Sequence, residues 1–148
     1  MANEMLNIDE KYAREMVAHA LEDDPNECCG ILAGRGGKIM SLYRIANKEA
    51  SPFRYAMDSN EHYRANKDMG DNEWETFAFY HSHTHSPAYP SPTDIRLATW
   101  GGTSIWPGVY YILISLPALF DKETPLIRAF HIEDGTVTEE DLTIGSPE

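Results

Sequence analysis

Hydrophobic residues along the chain fall into short runs separated by polar turns, and their spacing changes repeatedly between a strand-like and a helix-like period. Short alternating or continuous apolar runs predict strands, and apolar residues spaced three or four apart predict helices. We therefore expect strands at residues 5–8, 28–33, 38–45, 76–80, 109–116, 126–132 and 136–137. Helices are expected at residues 9–22, 58–69 and 92–100, with Asp9 as N-cap of the first and Ser91 and Pro92 starting the last.

Strands outnumber helices in this pattern, and most neighbouring elements are joined by short connections. Such an order indicates an α/β or α+β sandwich around a mixed β-sheet. The chain has 148 residues, which is the length of one such domain, here taken as residues 1–148. Function is expected where the strand at residues 76–80 ends and a loop begins.

Acidic residues outnumber basic ones by 24 to 12, and the formal net charge is −12. This balance opposes binding to nucleic acid or to an anionic membrane, because phosphate contacts require clustered lysine and arginine. The first residues do not resemble a signal peptide, and the most apolar run, residues 109–120, is too short to cross a bilayer. Cys28 and Cys29 are adjacent and cannot form a disulfide framework, so a cytoplasmic location is expected.

Two histidines one residue apart, His81 and His83, are followed eleven residues later by Asp94. In an extended chain, residues i and i+2 project to the same side about 6–7 Å apart, so both imidazoles can converge on one metal ion. A carboxylate on the following loop would complete a three-ligand set. Zinc held by three protein ligands and one water is typical of a catalytic site, and the pattern therefore predicts a zinc hydrolase.

Each of these residues also has a simpler interpretation. Ser91 and Asp94 together form a helix capping box, a role compatible with metal binding by the same carboxylate. Glu27 could close a polar turn, but it directly precedes an apolar run, where partial desolvation would raise its pKa and suit a general base. The adjacent cysteines are expected to be small core residues rather than nucleophiles. The remaining histidines are expected to lie outside the ligand set: His19, His62, His85 and His131.

The order of the candidate residues resembles the signature of the JAMM (MPN-plus) metalloprotease family, which is a glutamate, then His-x-His, then Ser-x-x-Asp. The matching residues are Glu27, His81, His83, Ser91 and Asp94. The resemblance implies a cytidine-deaminase-like JAMM sandwich, with helices flanking a mixed central sheet, and one Zn²⁺ per chain. By this likeness the two histidines and Asp94 bind zinc, Glu27 is the general base and acid, and Ser91 supports the oxyanion. Thr84 departs from the pattern, since many members carry proline there.

Segments spread over most of the chain are similar to the small actinobacterial Mec-type hydrolases of this family: residues 47–53, 57–59, 88–94, 97–99 and 132–140. These enzymes release cysteine from the C-terminal Gly-Gly of a ubiquitin-like sulfur-carrier protein, and the resemblance implies that reaction and that partner. Candidate walls of the cleft for the Gly-Gly tail are Phe53, Tyr55, Met57 and Tyr89, which could equally be packing residues.

Two alternatives stay open at the level of sequence. One is a JAMM isopeptidase or peptidase that acts on another ubiquitin-like tag or on a peptide. The other is a non-catalytic scaffold of the same fold, although such scaffolds normally lack the metal ligands. Whether the protein forms a homodimer is also left open.

Overall fold

The computed structural model describes residues 6–100, 103–104, 106, 108–116 and 126–145. Ten strands and three helices lie in these ranges. The strands are β1 (Leu6–Ile8), β2 (Cys29–Arg35), β3 (Lys38–Ile45), β4 (Glu75–His83), β5 (Thr99–Trp100), β6 (Thr103–Ser104), β7 (Tyr110–Ser115), β8 (Leu126–Glu133), β9 (Thr136–Glu140) and β10 (Leu142–Ile144). The helices are α1 (Glu10–Asp23), α2 (Ser59–Asp71) and α3 (Pro92–Leu97).

Six of the strands form one mixed sheet in the order β3-β2-β4-β7-β8-β9. Only the central β4–β7 pair is parallel, with His81 opposite Leu113, and the other neighbours in this sheet are antiparallel. The predicted mixed sheet flanked by helices is therefore confirmed, and β4 lies inside the sheet with a partner on each side.

The helices cover the two faces of this sheet, because side chains of successive strand residues point to opposite faces. On one face, α1 begins after Asp9, whose carboxylate accepts the Lys11 N–H at 3.1 Å, and buries Met16 and Ala20 against the sheet. On the other face, α2 buries Ala65 and Met69. The two apolar cores lie on opposite faces of the sheet, so β4 is packed on both sides. Within the described residues, no helix is long and apolar enough to cross a membrane.

The strand that carries the histidines is longer than expected. The sequence predicted its end at Tyr80, whereas β4 continues to His83. Pairing with both neighbours explains the difference: Ser115 of β7 lies opposite His83, and on the other side the Cys28 N–H donates to Ser82 Oγ at 2.8 Å. Buried polar residues remain in a strand when the sheet satisfies their backbone groups.

Other elements also differ from the prediction. α3 ends at Leu97 and not at residue 100, because β5 pairs with β6 immediately afterwards. The strand expected at residues 136–137 extends to Glu140 along β8. β10 was not predicted at all. It pairs in parallel with β1 from the opposite end of the chain, and local periodicity carries no signal for such a long-range contact.

Gly30 in β2 lies opposite Tyr80 in β4, and its lack of a side chain allows these central strands to pair. A Cβ at this position would overlap two ring carbons and the hydroxyl oxygen of Tyr80. The ring has no room to retreat, because Tyr80 is fully buried and its hydroxyl is hydrogen-bonded to His19 Nδ1 at 2.7 Å.

We therefore expect Gly30→Ala to lower the free energy of unfolding by about 1–3 kcal/mol, the usual effect of overpacking a core. Chemical denaturation would measure it. Gly70→Ala is the matched control, since a Cβ in that turn of α2 meets open space. It should instead raise stability by about 0.5–1 kcal/mol. Equal stability of wild type and Gly30→Ala would contradict the expected overlap.

Candidate metal centre

Three side-chain atoms converge at the C-terminal end of β4. His81 Nε2 lies 3.0 Å from His83 Nε2, and Asp94 Oδ2 lies 3.1 Å from the first nitrogen and 3.0 Å from the second. Both imidazoles are buried, and the Asp94 side chain is only 9% exposed. The structure thus brings together the three residues proposed from sequence as a ligand set.

Strand alternation and one backbone carbonyl orient the histidines. As residues i and i+2 of β4, His81 and His83 face the same side of the sheet. His83 Nδ1 lies 2.6 Å from the Pro87 carbonyl oxygen, which can only accept a hydrogen bond. Nδ1 therefore carries the proton, and in the neutral ring Nε2 turns a lone pair toward the cluster. Such a second hydrogen bond is the common way of fixing a metal-binding histidine.

Asp94 is held by the first turn of α3. Its Oδ2 accepts the Ser91 N–H at 2.9 Å, and its own N–H donates to Ser91 Oγ at 3.0 Å. This is the capping box expected from the sequence. The same carboxylate oxygen also faces both histidines, so the cap fixes the direction in which Asp94 points.

The electrostatics of the cluster favour an ionised Asp94. Burial raises the pKa of this carboxyl, but the charge of His81 and the hydrogen bonds from His81, His83 and the Ser91 N–H outweigh it and hold the pKa well below its usual range. Burial lowers the pKa of His81. Burial also opposes a charged His83, yet the hydrogen bonds to Asp94 and Pro87 raise the pKa of His83. Metal binding requires the lone pair of His83 Nε2 and therefore competes with protonation of this ring, so metal binding should release protons.

The geometry of the donor atoms fits a tetrahedral metal ion. Zinc with ligand bonds of about 2.0–2.1 Å places its ligand atoms about 3.3 Å apart. The separations of 3.0–3.1 Å between the three atoms are close to this spacing. Lone pairs that face one another at such distances repel unless a proton or a cation lies between them. Imidazole nitrogen and carboxylate oxygen are also ligands that zinc accepts.

Glu27 lies beside this cluster because the pairing with β4 begins before the first residue of β2. Cys29 lies opposite His81, and the Ser82 N–H donates to the Cys28 carbonyl at 3.1 Å. One more step along this antiparallel register brings Glu27 level with His83. The Glu27 residue is 3% exposed, and its Oε1 has no hydrogen-bond partner among the described residues. Burial raises the pKa of Glu27 to about 8, with His83 lowering it and Asp94 raising it.

The sequence matches a family model described as prokaryotic homologs of the JAB domain over residues 9–132. The chain belongs to the JAB-domain family. The matched range contains Glu27 and the three residues of the cluster. The predicted membership of the JAMM group is thereby confirmed.

Two curated relatives agree with this family. The CysO-cysteine peptidase of Mycobacterium tuberculosis is 40% identical over 131 residues, which cover 87% of this chain and 84% of the relative. The desampylase of Haloferax volcanii is 30% identical over 125 residues, covering 78% and 84%. These relatives confirm the predicted enzyme class, a hydrolase of the JAMM type.

Among solved structures, the solution structure of a Desulfitobacterium hafniense protein is similar to this JAB domain. Its TM-score is 0.79 and its sequence identity is 36%, and the match covers 97% of this chain and 94% of that one.

In this JAB domain, Tyr55 packs on the candidate metal centre, and Thr84 connects the segments around it. The Tyr55 ring stacks on His81 with centroids 4.4 Å apart, and burial raises the pKa of its hydroxyl well above the usual value. Thr84 directly follows His83, and its Oγ1 lies 3.0 Å from the Pro25 carbonyl oxygen and 2.9 Å from that of Pro52. One hydroxyl thus joins the segment before Glu27, the loop after β4 and the segment that leads to Tyr55. The sequence did not reveal this contact.

The other predicted wall residues lie farther from the cluster. Phe53 is 71% exposed and its ring lies 5.0 Å from that of His85, which is itself exposed. Tyr89 is 48% exposed and packs edge-to-face on Phe130. Met57 pairs with Asn47 in an isolated bridge. The structure therefore brings Tyr55 into contact with the candidate metal centre and leaves Phe53 and Tyr89 largely exposed.

Both cysteines are buried, as expected for core residues. Burial raises the pKa of the Cys28 thiol to about 12 and that of Cys29 further still. A thiol of this kind is not a thiolate at neutral pH, so the structure gives no support to the nucleophile interpretation.

The raised pKa of Glu27 predicts a pH-dependent stability of the metal-free protein. Between the ordinary carboxyl value and about 8, the folded state keeps a proton that the unfolded state releases, so stability falls as pH rises through this window. Glu27→Gln removes this loss. With chelator present, we expect the variant to exceed wild type by about 2–4 kcal/mol at pH 8 and to match it near pH 4. Denaturant titrations across this pH range would measure the difference, and a constant difference would contradict the assignment.

Proposed function

We propose that this JAB domain is a zinc-dependent hydrolase that cleaves the amide bond between the C-terminal Gly-Gly of a ubiquitin-like sulfur-carrier protein and cysteine. One observation carries the proposal: His81, His83 and Asp94 converge beside the buried carboxylate of Glu27. Two neutral imidazoles and one carboxylate leave a bound Zn²⁺ with a net charge of +1. The 40% identity to a CysO-cysteine peptidase over most of the chain supports the choice of substrate.

The zinc ligands in this proposal are His81, His83 and Asp94. Zinc held by such a set lowers the pKa of a bound water toward ~7 and polarises a carbonyl group. Glu27 accepts the proton of the attacking water and later returns it to the departing amine of cysteine. Its burial suits this role, because a carboxyl with a pKa near the working pH can both take and give a proton.

Ser91 stabilises the oxyanion that forms on the scissile carbonyl. Its Oγ already accepts the Asp94 N–H at 3.0 Å, which fixes the oxygen and leaves the hydroxyl proton to be donated. Removing one donor of this kind typically costs ~10²–10³ in rate. The capping box therefore serves both the metal ligand and the oxyanion donor.

The Gly-Gly tail binds along residues 51–58, where Phe53, Tyr55 and Met57 lie, with Tyr89 on the opposite wall. The last residues of this segment pair with residues 46–48, since the Lys48 N–H donates to the Ala56 carbonyl and the Asp58 N–H to the Ala46 carbonyl. An extended peptide without side chains can pair its backbone with such an edge and pass through a narrow cleft.

The second candidate function is cleavage of a conjugate of another ubiquitin-like protein. It is supported by the 30% sequence identity to a desampylase, in an alignment that covers 84% of that relative. The same metal ligands and the same base would serve both reactions, so substrate profiling separates the two candidates.

Intact-mass spectrometry tests the substrate directly. A sulfur-carrier protein ending in Gly-Gly-Cys is incubated with the zinc-loaded protein, with and without chelator. We expect the mass of the carrier to fall by one cysteine residue only when zinc is available. If the mass stays unchanged with zinc bound while a conjugate of another ubiquitin-like protein is cleaved, the second candidate replaces the first.

Variants of the centre separate metal binding from proton transfer. Glu27→Gln should keep zinc, measured by elemental analysis, and lose turnover by about 10²–10⁴-fold, because it removes the general base. His83→Ala should lose both. Glu75→Gln is the matched control, since this exposed glutamate begins β4 at the end away from the histidines. Near-full activity of Glu27→Gln would refute the base assignment, and a zinc-loaded but inactive wild type would favour a scaffold.

A further inference from the structure

An aromatic cleft of about 430 Å³ begins at Asp94 and extends between residues 54–57, α2 and α3. It shares Tyr55 and Met57 with the proposed walls of the Gly-Gly tail, and Asp94 with the proposed metal site. Its walls are mainly apolar and include Tyr55, Met57, Phe79, Leu97, Trp106 and Tyr111. Arg54, Arg96 and Glu49 also line it. The volume lies in the range of ligand sites and is large enough for a bulky side chain with adjacent backbone.

His62 gives this cleft a polar group that lacks a partner. Its Nε2 is buried and makes no hydrogen bond within the described part of the chain. The ring is held edge-to-face against Phe79 at 5.9 Å and lies 6.1 Å from Trp106. Burial lowers the pKa of His62, so the imidazole is neutral. A buried nitrogen without a partner is unfavourable, and a ligand with a complementary polar group would remove this penalty.

The position of the general acid decides which side of the scissile bond this cleft serves. Glu27 returns a proton to the departing amine, so the released amino acid lies on the side of Glu27. Glu27 lines a different hollow, together with Asn26 and Asn47, and not the aromatic cleft. The aromatic cleft therefore lies on the acyl side, where the carrier tail approaches.

The first side chain of such a tail precedes Gly-Gly. In an extended chain it stands about 6–7 Å from the last glycine and on the same side. Resting on the proposed function, we propose that the aromatic cleft binds this side chain, that it selects a large apolar residue there, and that His62 Nε2 hydrogen-bonds the tail. His62 is then a specificity-determining residue of this enzyme.

The test uses one sulfur-carrier protein ending in X-Gly-Gly-Cys, with Gly, Ala, Leu, Phe or Glu at X, and the zinc-loaded protein. We expect kcat/KM for Leu and Phe to exceed that for Gly by about tenfold or more, the usual effect of filling an apolar pocket. His62→Phe keeps the ring volume but loses the hydrogen bond, and it should raise KM about tenfold with kcat little changed.

Two further variants, both at exposed positions, distinguish a change of specificity from a loss of folding. Leu97→Gln changes a residue that lines the cleft yet is 52% exposed, so the fold should tolerate it. It should lower the Leu-to-Gly ratio about threefold or more. Tyr63→Ala changes the neighbour of His62 on α2 at a 69% exposed position and should leave the ratio unaltered.

The outcomes separate this inference from the proposed function. Cleavage of every tail at the same kcat/KM, or a wild-type KM in His62→Phe, overturns the role of the cleft and leaves the hydrolase intact. A higher kcat/KM for Leu and Phe than for Gly at X in wild type, with a smaller Leu-to-Gly ratio in Leu97→Gln, supports the role of the cleft. If no Gly-Gly-Cys tail is cleaved by the zinc-loaded protein, both proposals fall together.

Discussion

The metal centre depends on the register between β2 and β4. These antiparallel strands lie in the middle of the sheet, and their pairing continues beyond β2 through the two hydrogen bonds between Cys28 and Ser82. Because side chains opposite each other share a face, this register sets Glu27 beside His83. A slip of one residue would turn Glu27 to the face of α1 and away from the two histidines. The sheet therefore specifies the distance between Glu27 and the candidate metal ligands.

A second constraint is the double use of Asp94. Helix capping and metal binding both need an ionised carboxylate of fixed direction, and the Ser91 N–H supplies the constraint for both. The cap joins residues that are neighbours in the chain, whereas the position of β4 is set by its pairing with β2 and β7. The centre thus forms only where one local structure meets one long-range structure. Neither is sufficient alone.

The extent to which sequence predicted this protein follows from the same distinction. His81, His83 and Asp94 could be recognised because they lie close together in the chain as well as in the fold. The elements α1, α3 and the β2–β3 hairpin could be predicted from caps, turns and periodicity. The end of β4 was misplaced since polar residues were taken to end a strand, whereas β7 keeps them paired. β10 needs β1 from the opposite end of the chain. The contacts of Thr84 with Pro25 and Pro52, and the cleft around His62, join segments far apart in sequence, so no local pattern could reveal them.

The three-way contact of Thr84 has a consequence for how such enzymes diverge. His81, His83 and Asp94 lie in a strand and in the first turn of a helix, whereas Glu27 and Tyr55 lie in irregular segments, and the Thr84 hydroxyl connects these two segments to the end of β4. Loss of this hydroxyl would release the segment of Glu27 and the segment of Tyr55 together. Substitutions in loops that do not contact Thr84 would leave this connection in place. The surroundings of the cluster can therefore change without displacing Glu27 only at positions away from Thr84.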